Sequence, residues 1–279
     1  MTERLADISA RITGIRQLGA VVNAMKGIAA ARAHMARSQV DVVDSYAATI
    51  AAAMANAIGP RTDPRENLDA DSDRTGLLVF CAEQGFAGAF SERVLDSLPK
   101  DLTPETLFLI GTRGLSIIAA RGITPHWAGP LPSHTNGIPK LADDATKAIY
   151  HAVESRRITQ LDVVYTGWTS GRPALLRRRL FPLDLSDLPA SKTDRPLTQI
   201  SETALLDSLG QDYFHAQVCK AALHAFAAEN EARMEAMSSA GSQIGRELEA
   251  FQAKLRRVRQ EAITAEIIEL GTGAAQARK

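Results

Sequence analysis

From Leu5 to Ala57 the chain places a small or apolar residue at spacings that alternate between three and four: Leu5, Ile8, Ile12, Ile15, Gly19 and Val22, then, past Lys26, Ala29, Ala33, Ala36, Val40, Val43, Ala47, Ile50, Met54 and Ala57. Lys26 is the one charged member, and no proline intervenes before Pro60. Such a stripe specifies one unbroken helix with a coiled-coil seam. At a rise of ~1.5 Å per residue it would run on the order of 80 Å. A helix of that length cannot lie on one globular domain, so it is expected to project. The far end of the chain repeats the spacing from Tyr213 through Ala216, Lys220, Leu223, Ala227, Asn230, Met234, Met237, Gly241, Ile244, Leu248, Phe251, Leu255 and Val258 to Ala262 and Ala265, with no proline after Pro196. Two terminal helices of comparable length most economically pair as an antiparallel two-stranded coiled coil. Small residues at Gly19, Ala29, Ala33 and Gly241 would let the backbones approach closely.

Composition supports this. Aromatics are 5% of residues against 45% hydrophobic, so the apolar content is carried by Ala, Leu, Ile and Val, a bias toward closely packed helices. Lys plus Arg and Asp plus Glu are both 32, which removes any global electrostatic case for nucleic acid. The two cysteines, Cys81 and Cys219, lack the spacing of a zinc or redox pair and read as buried free thiols. The most apolar run, Ala47 to Gly59, is short of the ~20 residues a bilayer span needs, so no direct membrane span is expected. Nothing at the N-terminus reads as a secretory signal.

Between the helical stripes the pattern changes. A Pro- and Asp-rich stretch, Gly59 to Thr75, precedes the buried-strand run Gly76 to Ala82, a turn "EQGFAG" and the helix-like "AFSERVLDSL". Thr106 to Gly111 reads as a second strand leading into "TRGLSIIAARG". A helix pattern from Leu141 to Ser155 precedes strand candidates at Leu161–Gly167 and Pro173–Leu183. Strands alternating with helices predict a small α/β domain with a largely parallel sheet. The expected organisation is a coiled-coil helix over 1–58, a linker over 59–75, a central Rossmann-like α/β foot over 76–190 and a second coiled-coil helix over 203–279.

Catalytic chemistry is hard to find in this pattern. Gly85 and Gly88 follow the first strand where a Rossmann-type loop would hold phosphate, but the GxGxxG fingerprint and the P-loop are not met, and a tight strand-to-helix turn explains them better. The six histidines (34, 126, 134, 151, 215, 224) form no HExxH or other ligand set. No catalytic residues, cofactor or metal are expected. Two basic clusters remain, Arg177–Arg179 in a strand candidate and "KLRRVR" (Lys254 to Arg259) on the terminal helix. The latter reads either as a solvated face paired with Glu247, Glu249 and Glu261 or as a positive collar facing an acidic partner.

The stretch "DISARITGIRQLGAVVNAMKGIAAARAHMA" from Asp7 resembles the opening of gamma subunits of F-type ATP synthases, with "VVNAMKGIAAAR" (Val21 to Arg32) standing for their A-M-K core. "ENEARMEAM" (Glu229 to Met237) and "RQEAITAEIIELGTGA" (Arg259 to Ala274) resemble two motifs of that family's C-terminal helix, and "EQGFAGAF" stands where the family has D-R-G-L-C-G-G-F. The resemblance implies a non-catalytic rotating central shaft that couples ion (proton) flow through a membrane sector to ATP synthesis or hydrolysis on beta. Its implied partners are three alpha and three beta subunits, epsilon and a ring of c subunits. The implied location is peripheral, on the cytoplasmic side of a bacterial inner membrane. Carried over by residue, Met25 and Lys26 fall at the contact with beta's acidic loops, Arg259 and Gln260 engage beta higher on the shaft, Arg233 and Met234 match the family's R-M pair, and Gly85 and Gly88 belong to the foot. The intruding charge at Lys26 would then have an intermolecular task.

The chain also departs from the family pattern. Arg256 stands for the family's asparagine, Glu83-Gln84-Gly85-Phe86-Ala87 for D-R-G-L-C, and Thr198 and Gln199 for a Tyr and Glu of the bacterial foot, as in a divergent or alternate-operon form. Two rival classes fit the residues more loosely: a free-standing coiled-coil scaffold, and a small α/β nucleotide-binding enzyme with helical arms.

Overall fold

The computed structural model describes residues 2–59, 74–99, 103, 106–169, 172–183, 188–189 and 197–276, without the side chains of 2–4, 269 and 271–276. Most of the expected linker, 60–73, and the expected end of the foot at 190 lie outside the described residues. Two helices dominate, α1 (Thr2–Ile58) and the terminal helix (Glu202–Gln276). The chain divides into two compact units: residues 1–28 with 234–279, and residues 29–233.

In the first unit Ile8 and Ile12 bury themselves with Val258, flanked by Leu5, Leu248, Phe251 and Leu255. The guanidinium of Arg11 lies 5.0 Å from the centre of the Phe251 ring, covering this cluster with a cation–π contact. A Cβ added at Gly19 would sit 3.3 Å from Ile244, and one at Gly241 3.9 Å from Val22. Partner numbers rise along one helix as they fall along the other, so the segments run antiparallel. The absence of a side chain at Gly19 is what admits Ile244 at that distance.

The second unit holds the sheet and the remainder of both helices. Its strands are β1 (Thr75–Phe80), β2 (Leu107–Ile110), β3 (Trp127–Gly129), β4 (Gln160–Thr169) and β5 (Arg172–Phe181), in the order β3-β2-β1-β4-β5. All neighbours are parallel except the β4–β5 pair. The largely parallel α/β sheet expected from the sequence is therefore present. β3 was not anticipated, because three residues without an apolar run carry no periodic signal.

The connecting helices are α2 (Phe90–Asp96), α3 (Thr112–Ala120) and α4 (Ile138–Glu154), so the terminal helix is α5. β1 and β2 are buried on both faces, which is why they read as continuous apolar runs. Leu77, Val79 and Leu109 face Phe90, Val94 and Ile118 on one side, while Leu78, Phe80 and Phe108 face Ile149 of α4 and Ala222 and Phe226 of α5 on the other. Ala36 and Val40 of α1 join that second layer. The two helices are antiparallel here as well: Asp44 pairs with Lys220 at 2.6 Å, Arg37 pairs with Glu231, and Ile50 and Met54 cluster with Leu209 and Tyr213. Every described seam position of both stripes is buried or half-buried.

Candidate subunit-interface site

At the C-terminal end of β1 the chain turns through Glu83, Gln84 and Gly85, where an open α/β sheet would present a ligand crevice. This turn is claimed by α5. The Glu229 carboxylate accepts the backbone N–H groups of Glu83 and Gln84, each at 3.1 Å. One turn further along, Arg233 donates to the carbonyl oxygens of Gly85 (3.1 Å) and Gln84 (3.2 Å), to Asn230 Oδ1 (3.0 Å) and to Glu229 itself. Glu229, Asn230 and Arg233 are all buried. Burying this charge pair is tolerable because each member is both paired and hydrogen-bonded.

The Glu83 side chain extends the network. Its carboxylate accepts the backbone N–H and hydroxyl of Thr112, at 2.9 and 2.6 Å, and the N–H of Leu131 at 2.9 Å. Thr112 opens α3, so the chain's own carboxylate occupies the N-terminus of that helix, where exposed N–H groups and the helix dipole favour an anion. Beside the turn, a cavity of about 410 Å³ is lined by Gly85, Phe86, Gly88, Glu92, Arg113 and Arg121, a mixture of signs rather than a convergent anion cradle. Gly88 has φ +58 with open space where a Cβ would be, as a tight strand-to-helix turn requires.

In the unit of residues 1–28 and 234–279, Lys26 is half-buried and its Nζ donates to Ser238 Oγ at 3.2 Å. That acceptor is neutral; no carboxylate answers the ammonium among the described residues. Around it, Leu18, Val21 and Ile28 are all more than half exposed and join half-buried Met25 at spacings of three and four, a second apolar stripe outside the seam. Arg259 and Gln260 are exposed, as are Lys254, Arg256 and Arg257, and no ion pair to Glu247, Glu249 or Glu261 forms among the described residues. Met234 is half-buried.

The predicted residues therefore fall into two groups. Gly85 and Arg233 are in direct contact and serve the chain internally, and Gly88 lies in the same turn. Met25 and Lys26, with Arg259 and Gln260, present surface. Glu229, Glu83 and Asp162 were not singled out from sequence. A signal for Glu229 existed in its i, i+4 spacing to Arg233 within the apolar run "AFAAENEARM". Asp162 explains the Arg177–Arg179 cluster: buried on β4, it receives Nε of Arg177 at 2.8 Å and Nε of Arg179, which lie beside it on β5.

No group of His, Cys, Asp and Glu able to hold a metal ion occurs among the described residues, and no described helix is long and apolar enough to cross a membrane. Burial pushes the Cys81 and Cys219 thiols up to about 12, so neither is a nucleophile near neutrality.

Paired terminal helices, an α/β unit whose β1 turn is held by its own side chains, and a cationic and apolar outer surface define a helical subunit of a larger assembly. A family model described as ATP synthase matches residues 4–276. The chain belongs to this family, among the gamma subunits of ATP synthase, which form the central-stalk rotor. It is 26% identical to the ATP synthase gamma chain of Chlorobium luteolum over 284 residues, covering 97% of each chain, and 28% identical to that of Beutenbergia cavernae, covering 95% of each. In fold it is similar to a chain of the Euglena gracilis mitochondrial ATP synthase, with a TM-score of 0.66 at 15% identity, covering 99% of this chain and 95% of that one.

Proposed function

We propose that this chain turns inside a ring of three alpha and three beta subunits and, through its α/β unit, meets epsilon and a ring of c subunits, so that rotation links ion flow to ATP synthesis or hydrolysis on beta. The observation that carries this reading is the outer surface around Lys26: an ammonium that no carboxylate answers among the described residues, set among exposed Leu18, Val21 and Ile28. Charge in such a setting steers and registers an acidic partner, while exposed aliphatic side chains supply contact area. Met25 and Lys26 are the contact with acidic loops of beta. Arg259 and Gln260, with the exposed basic run before them, form a second contact; Arg233, which Met234 follows in the R-M pair, holds the foot turn at Gly85, and Gly88 belongs to the same turn. The functional segments are the helix 1–58, linker 59–75, foot 76–190 and helix 203–279. The complex lies peripherally on the cytoplasmic side of a bacterial inner membrane, a reading that the similarity to bacterial gamma chains supports.

The test is reconstitution. Mixed with matching alpha and beta subunits, the purified chain should co-elute with them on a sizing column and stimulate steady-state ATP hydrolysis. If alpha-beta complexes turn over equally well without it, the coupling reading fails.

A further inference from the structure

We propose that Glu229 and Arg233 form a clamp that fixes the 83–85 turn to helix α5, and that this clamp is the joint through which α5 carries mechanical load into the sheet. The inference rests on the rotor reading for its mechanical half only. Its structural half stands on hydrogen bonds within one unit.

Successive peptide groups in the turn expose N–H donors at Glu83 and Gln84 and carbonyl acceptors at Gln84 and Gly85. The i, i+4 pair on α5 meets each with the complementary charge: the carboxylate takes both donors and the guanidinium serves both acceptors. The contact therefore reads the polarity of the backbone as well as pairing two ions. Arg233 is suited to it because a planar fork reaches two carbonyls and a neighbouring amide oxygen at once, which a single ammonium does not. Beyond the turn, Glu83 passes the constraint to the first residue of α3 and to Leu131, so four segments of the unit are held by charge-assisted bonds. Packing of α5 on the sheet through Ala222 and Phe226 resists separation, but apolar contacts are non-directional and allow sliding. Directional bonds at the end of β1 are what oppose displacement along the helix axis.

The clamp predicts a behaviour that a plain ion pair does not have. Exchanging the two charges in Glu229→Arg/Arg233→Glu would preserve a pair yet set donor against donor and acceptor against acceptor, so the double variant should be no better than either single one. Glu229→Gln keeps the shape but offers one acceptor where two were used. In the full-length chain, amide hydrogen exchange at Glu83 and Gln84 should then rise by about tenfold, the effect of losing a hydrogen bond to a charged group, with the β1 amides unchanged. Arg233→Lys is the milder second variant and should release the turn in the same place.

In the reconstituted membrane complex, Glu229→Gln should retain ATP hydrolysis while ions transported per ATP fall by about twofold or more, because load slips at the joint. Unchanged exchange at Glu83 and Gln84 in both variants, or wild-type exchange restored by the charge swap, overturns the clamp. Release of these amides with an unaltered transport ratio overturns its load-bearing role. A wild-type chain that fails to stimulate hydrolysis would instead strike the rotor reading and leave the exchange result intact.

Discussion

Substituting the two seam lysines tests whether Lys26 serves a partner where Lys220 serves its own fold. In Lys26→Met the aliphatic stem is retained and one hydrogen bond to a neutral hydroxyl at 3.2 Å is lost, about 1 kcal/mol. For a chain of this size that is a fall in melting temperature of roughly 2–4 °C. Lys220→Met removes an ion pair at 2.6 Å whose partner, Asp44, is less than half exposed. Solvent screening limits the pair itself to about 1 kcal/mol, and leaving Asp44 at the helix interface without its cation raises the cost to about 2 kcal/mol, or roughly 4–8 °C. Function should order the variants the other way. In the hydrolysis assay with alpha and beta subunits, run well below both melting temperatures, Lys26→Met should lose stimulation by about tenfold, the scale of one interfacial charge contact of 1–2 kcal/mol. Lys220→Met should remain close to wild type. Equal losses of stimulation, or a Lys26→Met defect that merely follows a large drop in melting temperature, would refute an intermolecular role for the charge.

Gly111→Ala should destabilise the sheet unit by about 3 kcal/mol or more in chemical denaturation: its φ of +109 disfavours any side chain, and a Cβ there would collide with the backbone carbonyl of Cys81, the residue after β1. Gly88→Ala, with positive φ but open space around it, should cost only about 1 kcal/mol, and equal losses at the two sites would discredit the steric argument. The cysteines give a pH prediction. A thiol raised in the fold from 9.0 to about 12 favours the folded state fully below pH 9, and that contribution disappears as pH climbs from 9 toward 12. The native chain should resist iodoacetamide at pH 8 and react at both thiols once denatured, and alkaline unfolding should be blunted in Cys81→Ala/Cys219→Ala; rapid labelling of the native chain would contradict the burial.

The helices and most of the sheet were legible because their signals are periodic. The seam survives interruption by Lys26, Lys220 and Asn230 since its neighbours at three and four residues keep the register, and β1 and β2 announce double burial by unbroken aliphatic runs. β3 was not legible, being held mainly by its pairing with β2, which is a tertiary fact. The outer residues at Met25, Lys26, Arg259 and Gln260 could be named only by resemblance, because spacing and residue type alone do not tell a partner-facing surface residue from one that faces water. Glu83, Glu229 and Asp162 were overlooked for a different reason. A charged residue is expected at the surface, and what makes these three internal is a partner 15 to 146 residues away in sequence, at Arg177 for Asp162, Thr112 for Glu83 and the turn amide of Glu83 for Glu229.

The carboxylate of Glu83 at the start of α3 has a consequence for the life of the rotor. The N-terminus of α3 would otherwise be open to a free phosphate or nucleotide from solution. A tethered anion has a high effective concentration at its own berth, and a free phosphate must evict it and three hydrogen bonds at once. At this one helix start the seat an anion would take is already filled from within.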